Sequence, residues 1–208
     1  MYLPASFIES DLAAFDALIE RDNFITLITV RDDTPVVNHL PVLCQREGGR
    51  IELRGHWARP NPQARHAGAA TAIVHGPHAY VSPSWYPDKE EQARVPTWNY
   101  AVAHLAGTLE TFEDEASLAE LVDGLSRRHE DRVGGDWRFE FDRDDQRRQL
   151  RGIIGFRLHV DIATLKFKLN QNHPVANRLS VAAGLEQQPW EASRDIAALM
   201  RARTPTED

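Results

Sequence analysis

Between residues 24 and 54 the chain passes through three short segments rich in β-branched and apolar residues, joined by turn clusters rather than by helices. Phe24-Ile-Thr-Leu-Ile-Thr-Val30 ends at Arg31-Asp-Asp-Thr-Pro35, and Val36-Val-Asn-His-Leu-Pro-Val-Leu-Cys44 runs on to the turn Glu47-Gly-Gly-Arg50. Ile51-Glu-Leu-Arg54 completes the series. Strands that follow one another through short turns pair as antiparallel neighbours. Pro41 brings no amide hydrogen to a ladder, so the second strand lies at an edge or carries a bulge there. Further strands are predicted at 71–75, 79–82, 97–112 and 155–162, with His75 and His78 bracketing a Gly-Pro turn.

The helices fall around this series. Ser10 is positioned to cap a helix over 11–22 that turns Leu12, Phe15, Leu18 and Ile19 to one face. Asn61 is a good N-cap for a short helix with Pro62 at its first position, where the missing amide costs nothing. A charged helix near 114–130 carries Leu118, Leu121, Val122 and Leu125 inward, and a second piece lies near 142–150. Two short helices, 174–183 and 191–202, are split by Gly184 and Pro189. Six or seven strands without strand-helix-strand alternation predict a mainly β (α+β) fold, an antiparallel barrel with peripheral helices. The reading is one domain over 1–208, with a C-terminal helical extension from about 174.

Composition narrows the function. The 208 residues are 42% hydrophobic and 26% charged, enough to bury a full core. The single cysteine, Cys44, excludes an intrachain disulfide framework and a multi-cysteine zinc site. Nine histidines are scattered without a recognised ligand spacing, so no metal site is expected. A net charge of −7 argues against a broad nucleic-acid footprint. No apolar run reaches the ~18–20 residues that span a bilayer, and the start lacks a signal peptide's pattern, so a cytoplasmic, membrane-free protein is expected. No P-loop, HExxH, GxSxG or GxGxxG motif is present.

The aromatic residues are unevenly spread. Of the five tryptophans and four tyrosines, Trp57, Tyr80, Trp85, Tyr86, Trp98 and Tyr100 fall within one stretch, interleaved with prolines, histidines, Ser82, Ser84 and Asn99. Barrel core and an aromatic interface account for such a stretch. A pocket for a planar heteroaromatic ligand accounts also for the polar residues mixed into it. An anion site can be drawn where Asn61-Pro62 opens a helix with Arg59 just ahead, since first-turn amides lack intrahelical acceptors. Lys168 could set a cation beside a phosphate or the electron-rich edge of a flavin ring. Taken singly, Arg59 and Lys168 read as solvated surface cations.

Five blocks carry a family resemblance: Pro35-Val-Val-Asn-His-Leu-Pro41, Gly55-His-Trp-Ala-Arg-Pro-Asn-Pro62, Gly76-Pro-His-Ala-Tyr-Val-Ser-Pro-Ser-Trp-Tyr86, Val95-Pro-Thr-Trp-Asn-Tyr100 and Lys168-Leu-Asn-Gln-Asn172. In this order and spacing they closely resemble the PaiB family of FMN-binding negative transcriptional regulators, within the flavin-binding split-barrel superfamily. The resemblance runs from Met1 to about Leu185. Asn170 departs from it, standing where a small hydroxyl residue is expected. The resemblance implies a six-stranded antiparallel split barrel, a homodimer, and FMN in a groove between subunits. It implies that Asn38, His39 and Leu40 pass the ring, and that Gly55, His56, Arg59 and Asn61 meet the ribityl phosphate. Trp98 and Asn99 of the partner subunit would contact the ring, with Lys168, Gln171 and Asn172 at its rim.

Two kinds of function follow. One is an FMN-binding dimer in transcriptional repression, a flavin or redox sensor. The other is an FMN-dependent oxidoreductase of the NAD(P)H:flavin reductase kind, with His39, His56 or His104 as proton donor. A haem-binding split barrel ranks below both. For promoter DNA the candidate element is the C-terminal helix pair with Arg194, Arg201 and Arg203. Its predicted connection, Gly184–Pro189, exceeds the ~3–4 residues of a helix-turn-helix. A docked amphipathic tail is the plainer reading, with regulation working through a protein partner or a small basic groove.

Overall fold

The computed structural model describes residues 1–204; the last four residues of the expected C-terminal extension, 205–208, lie outside the described residues. In chain order the elements are a 3-10 turn (Ala5–Phe7), β1 (Ile8–Glu9), α1 (Leu12–Arg21), β2 (Phe24–Arg31), β3 (Thr34–Pro41), β4 (Leu43–Glu47) and β5 (Arg50–Ala58). A 3-10 turn (Pro62–Arg65), β6 (Gly68–Val81), a 3-10 turn (Pro83–Trp85) and β7 (Thr97–Phe112) follow. Then come α2 (Glu115–Val133), α3 (Asp144–Gln149), a 3-10 turn (Leu150–Gly152), β8 (Ile153–Lys168), α4 (Val175–Glu186) and α5 (Glu191–Ala202). The chain forms two compact units, one of Met1–Leu18, His75–Ala103 and Thr164–Asp208, the other of Ile19–Val74 and His104–Ala163.

The unit built from Ile19–Val74 and His104–Ala163 holds the meander. Its strands follow the order β3-β2-β6-β7-β8-β5-β4. Antiparallel registers run from Phe24↔Pro41 to Arg31↔Thr34, from Thr26↔Ile73 to Thr29↔Ala70, and from Ile51↔Val160 to Ala58↔Ile153. The β2–β3 loop shrinks to Asp32 and Asp33, both at positive φ (49° and 59°). That backbone matches the primed turns whose twist suits a two-residue hairpin. The two ends of the strand order, β3 and β4, are consecutive in the chain with only Val42 between them. Val42 is fully buried; its N–H donates to the Asn23 carbonyl at 3.0 Å, and the Asn23 side-chain amide donates to the Val42 carbonyl at 2.7 Å. The ladder thus stops directly after Pro41, and β3 is a terminal strand, as the missing amide required.

Packing in this unit explains two glycines. A Cβ at Gly55 would lie 2.5 Å from the ring of Phe156, which packs against Trp57 at 4.5 Å between ring centres. A Cβ at Gly107 would lie 1.9 Å from the carbonyl oxygen of His159, so only glycine lets the backbones approach. In α2 the Asp114 carboxylate accepts from the Ser117 N–H at 2.9 Å, and Gly134 ends the helix at φ 73°. Leu118, Leu121 and Leu125 are buried along it, as their spacing predicts.

In the unit of Met1–Leu18, His75–Ala103 and Thr164–Asp208, β1 pairs antiparallel with the end of β8, Ile8 facing Lys166. The cap of α1 is Asp11, whose carboxylate accepts from the Ala13 N–H at 2.8 Å, one residue later than the predicted Ser10. The predicted Gly-Pro turn is a straight passage of β6. Gly76 is there because a Cβ would meet the Ala101 carbonyl oxygen at 2.7 Å and Leu18 at 2.8 Å. Pro77 is tolerated because the ladder with β2 ends at Ile73, so its missing amide removes no bond of that ladder. Gly184 does not break α4: a Cβ would lie 2.6 Å from Trp85, and the helix continues to Glu186. The connection between α4 and α5 shortens to residues 187–190.

The mainly antiparallel sheet with helices is the expected fold class. Among the described residues it has eight strands: Val42 splits one predicted strand, Ile8–Glu9 adds one, and two predicted strands merge in β6.

Candidate functional site

In the meander unit, Asn38 and Asn61 meet in a hydrogen-bonded network centred on Gln63, which is fully buried. The Asn61 amide donates to Asn38 Oδ1 at 2.9 Å, Asn38 Nδ2 donates to Gln63 Oε1 at 2.8 Å, and Trp57 Nε1 donates to the same oxygen at 3.0 Å. Gln63 Nε2 faces the Leu27 and Val36 carbonyls and Thr29 Oγ1 at 3.0–3.2 Å. This glutamine ties β2, β3 and β5 to the turn after Asn61. Asn61 does cap that turn, accepting from the Gln63 N–H at 2.9 Å, so that amide already has its acceptor. The turn is a single 3-10 turn rather than a helix.

The neighbouring candidates divide between faces. Alternation puts Asn38 and Leu40 on one side of β3 and exposed His39 on the other, where its Nδ1 lies 3.0 Å from Thr26 Oγ1. Arg59 was expected at a phosphate, but its guanidinium is taken up by protein acceptors: Glu113 at 2.6 Å, the Arg151 carbonyl at 2.7 Å and the Ile153 carbonyl at 3.2 Å. It holds the end of β5 to the start of β8. His56, beside Gly55, points its ring to a cavity of about 210 Å³ walled by Val122, Trp137, Phe139 and Leu150. Its Nδ1 is buried with no hydrogen-bond partner among the described residues, and burial lowers its pKa, which favours the neutral imidazole.

The other unit carries the remaining candidates. Trp98 is 52% exposed and forms part of a cavity of about 550 Å³ with Tyr80, Trp85, Trp190, His78 and Ser82. Tyr80 meets Trp98 edge-on and His78 lies tilted to it, each with ring centres 6.0 Å apart. Three of the six clustered aromatics are thus brought together, joined by Trp190 from the start of α5. Asn99 points the opposite way. It is fully buried, with Nδ2 on the Met200 sulfur at 3.3 Å, so α5 walls it from solvent.

Lys168 ends β8 and borders a second cavity, of about 290 Å³, with Tyr86, Arg94, Thr97, Asn170, Asn172 and His173. Its ammonium donates to Thr97 Oγ1 and, at 2.7 Å, to the Trp98 carbonyl. Burial, then the nearby charge of Lys166, pushes its pKa down. Gln171 closes the turn after β8, accepting from the Leu169 N–H at 2.7 Å and donating to the Phe167 carbonyl at 2.5 Å. Asn170, at φ 61°, donates to Tyr86 Oη at 2.7 Å. Gln63, Arg94, His173 and Trp190 escape a sequence reading because only tertiary contacts bring each to its own site. An asparagine-capped turn with proline at its first position, continuing into glutamine, is the one available cue for Gln63.

The arginines of the C-terminal helix pair are engaged within the molecule. Arg194 donates to the Gln188 and Pro189 carbonyls, Arg201 pairs with Glu186 at 2.5 Å, and Arg203 pairs with Glu9 at 3.0 Å. Among the described residues no group of three or more His, Cys, Asp or Glu is arranged to hold a metal, and no helix is long and apolar enough to cross a membrane.

The antiparallel sheet thus carries an aromatic cavity and, at a second cavity, a half-buried lysine. The donor set suits a planar, anionic cofactor: tryptophan and tyrosine rings beside a few polar groups, and an ammonium held only by neutral oxygens. Residues 1–162 match the family model described as "Putative FMN-binding domain", and the chain belongs to that family, with FMN its cofactor. Over 203 residues it is 28% identical to the protease synthase and sporulation protein PAI 2 of Bacillus subtilis, covering 96% of each chain. Two solved structures share the fold. An FAD and heme binding protein from Mycobacterium smegmatis matches with a TM-score of 0.56 and 21% identity, over 91% of this chain and 78% of that one. A flavocytochrome from Azotobacter vinelandii matches with a TM-score of 0.55 and 16% identity, over 77% and 69%.

Proposed function

We propose that the protein is a homodimeric FMN-binding regulator that acts in repression as a flavin or redox sensor, with the cofactor in a groove between subunits. The observation that carries this reading is Trp98, an exposed indole on the wall of the aromatic cavity. An aromatic face left open to solvent suits a flavin ring presented by a second subunit. Trp98 of one subunit then contacts the ring, with Lys168 and Asn172 at its rim, while the β3 strand surface of the other subunit, with Asn38 and Leu40, passes the ring. Bound FMN supplies electron and hydride chemistry; the chain's own residues bind it, orient it and exclude water. The regulatory part rests on the resemblance carried by the five sequence blocks; the Bacillus subtilis relative is named for protease synthesis and sporulation. With Arg194, Arg201 and Arg203 engaged internally, regulation through a protein partner is favoured over direct contact with promoter DNA.

The second reading, an FMN-dependent oxidoreductase, is favoured by His56, a buried imidazole with a partnerless nitrogen at a cavity wall. Titration of flavin-free protein with FMN, followed by flavin fluorescence, tests the first reading, together with light scattering for the dimer. Saturable binding by a dimer is expected; a monomer, or no binding, overturns it. FMN-dependent oxidation of NADH or NADPH at steady state would favour the oxidoreductase.

A further inference from the structure

We propose that the cavity bounded by Tyr86, Arg94, Lys168, Asn172 and His173 is a binding site for the oxyanion group, carboxylate or phosphate, of a small ligand. Lys168 is half-buried, and its ammonium meets only the hydroxyl of Thr97 and the carbonyl of Trp98. Among the described residues it touches no carboxylate. A desolvated ammonium with neutral acceptors alone is stabilised by any anion that can reach it.

The rest of the cavity is arranged to leave that charge unmatched. Asp88 is the nearby carboxylate, and it is spent on Arg94, which it holds at 3.0 and 2.5 Å with help from Asn177 at 2.8 Å. The pinned guanidinium lies over the Tyr86 ring, 5.7 Å from its centre. His173, also lining the cavity, stacks on Tyr86 with ring centres 5.1 Å apart and interplanar angle 25°. His173 Nδ1 is buried and has no hydrogen-bond partner among the described residues. Burial and the Arg94 charge lower its pKa, so an anion that partners the ring would also raise it. Exposed Asn172 stands at the cavity with its amide available as a further donor. An ammonium lacking a counter-ion, with the exposed Asn172 amide and the His173 ring around the same cavity, makes an oxyanion receptor, while Asp88 leaves Arg94 no net charge to offer.

The anion has two sources of shared chemistry, the phosphate of FMN or the acidic group of a separate small ligand. The site itself does not depend on the flavin reading and is tested without flavin. Inorganic phosphate is titrated into the flavin-free full chain, and the histidine ring resonances are followed by NMR, His173 being assigned by loss of its signal in His173→Gln. A saturable shift at His173 is expected. Lys168→Met should weaken phosphate binding about tenfold or more, the scale of one charge-assisted hydrogen bond. Asn172→Asp, at an exposed position, should weaken it similarly by setting a negative charge at the cavity. Absence of a saturable shift overturns the site, as does unchanged affinity in Lys168→Met with native circular dichroism; should that variant not fold, Asn172→Asp decides alone. Displacement of phosphate by FMN but not by riboflavin identifies the cofactor's phosphate as occupant and moves Lys168 from the rim of the ring to that phosphate; displacement by riboflavin as well keeps it at the ring and makes the anion a separate one. Retention of phosphate under saturating FMN identifies a separate acidic ligand, and each of these results upholds the site.

Discussion

The side-chain amide of Asn61 donates to the side-chain oxygen of Asn38 across 2.9 Å, although 23 residues separate them. Asn38 passes the connection on to Gln63, whose oxygen also receives the Trp57 indole N–H. Buried donors left without acceptors cost about 1–3 kcal/mol each. Gln63→Leu strands the Trp57 and Asn38 donors together and should lower stability by about 3 kcal/mol or more, read as a shift in the urea midpoint. Gln63→Glu should be at least as damaging, because its second oxygen would face the Leu27 and Val36 carbonyls.

The sequence places Arg59 at a phosphate and Lys168 beside a phosphate or the edge of a flavin ring; their surroundings separate the two cations. Lys168→Ala should weaken FMN binding about tenfold, measured by flavin fluorescence. Arg59→Ala should leave that affinity near its original value and instead cost about 1 kcal/mol of stability, since its guanidinium holds Glu113 and two backbone carbonyls at a half-exposed site. A large loss of FMN affinity in Arg59→Ala would return the arginine to the cofactor.

Gly107→Ala should be strongly destabilising, by about 2 kcal/mol or more, without touching any candidate ligand residue. The added methyl would meet the His159 carbonyl oxygen at 1.9 Å, and a backbone atom cannot swing aside as a side chain does. Thermal unfolding of this variant against wild type measures it.

Acid stability should have two distinct windows. Hydrogen bonding to Arg94 holds Asp88 down to about 2 from an ordinary 3.8, so its contribution is complete above pH 3.8 and is lost as pH falls toward about 2. Asp88→Asn should remove that step from the pH dependence of the urea midpoint. His173 behaves oppositely to a salt-bridged histidine. Its folded pKa lies below 6.5, so the unfolded chain takes up the proton first and stability falls as pH drops through 6.5. His173→Gln should flatten part of that slope; His56, also held neutral by burial, accounts for another part.

Local sequence determined most of the secondary structure. The β-branched run at Phe24–Val30, the Asn61-Pro62 start and the leucine spacing of α2 set their elements through short-range sterics and capping, which need no distant partner. Pro41 marked its strand as an edge or a bulged one, and β3 is a terminal strand. Family motifs added the cofactor and the fold class. Glycine is less legible: local sequence makes Gly76 and Gly184 breaks, whereas each makes room for a side chain or backbone far along the chain. The fate of polar side chains was likewise decided only in three dimensions. Arg59 found Glu113, Asn99 turned inward under Met200, and Lys168 ended beside oxygens that carry no charge. Whether a cation is spent on the protein or left for a ligand depends on which acceptors the tertiary fold brings within about 3 Å, and residue spacing carries no information on that.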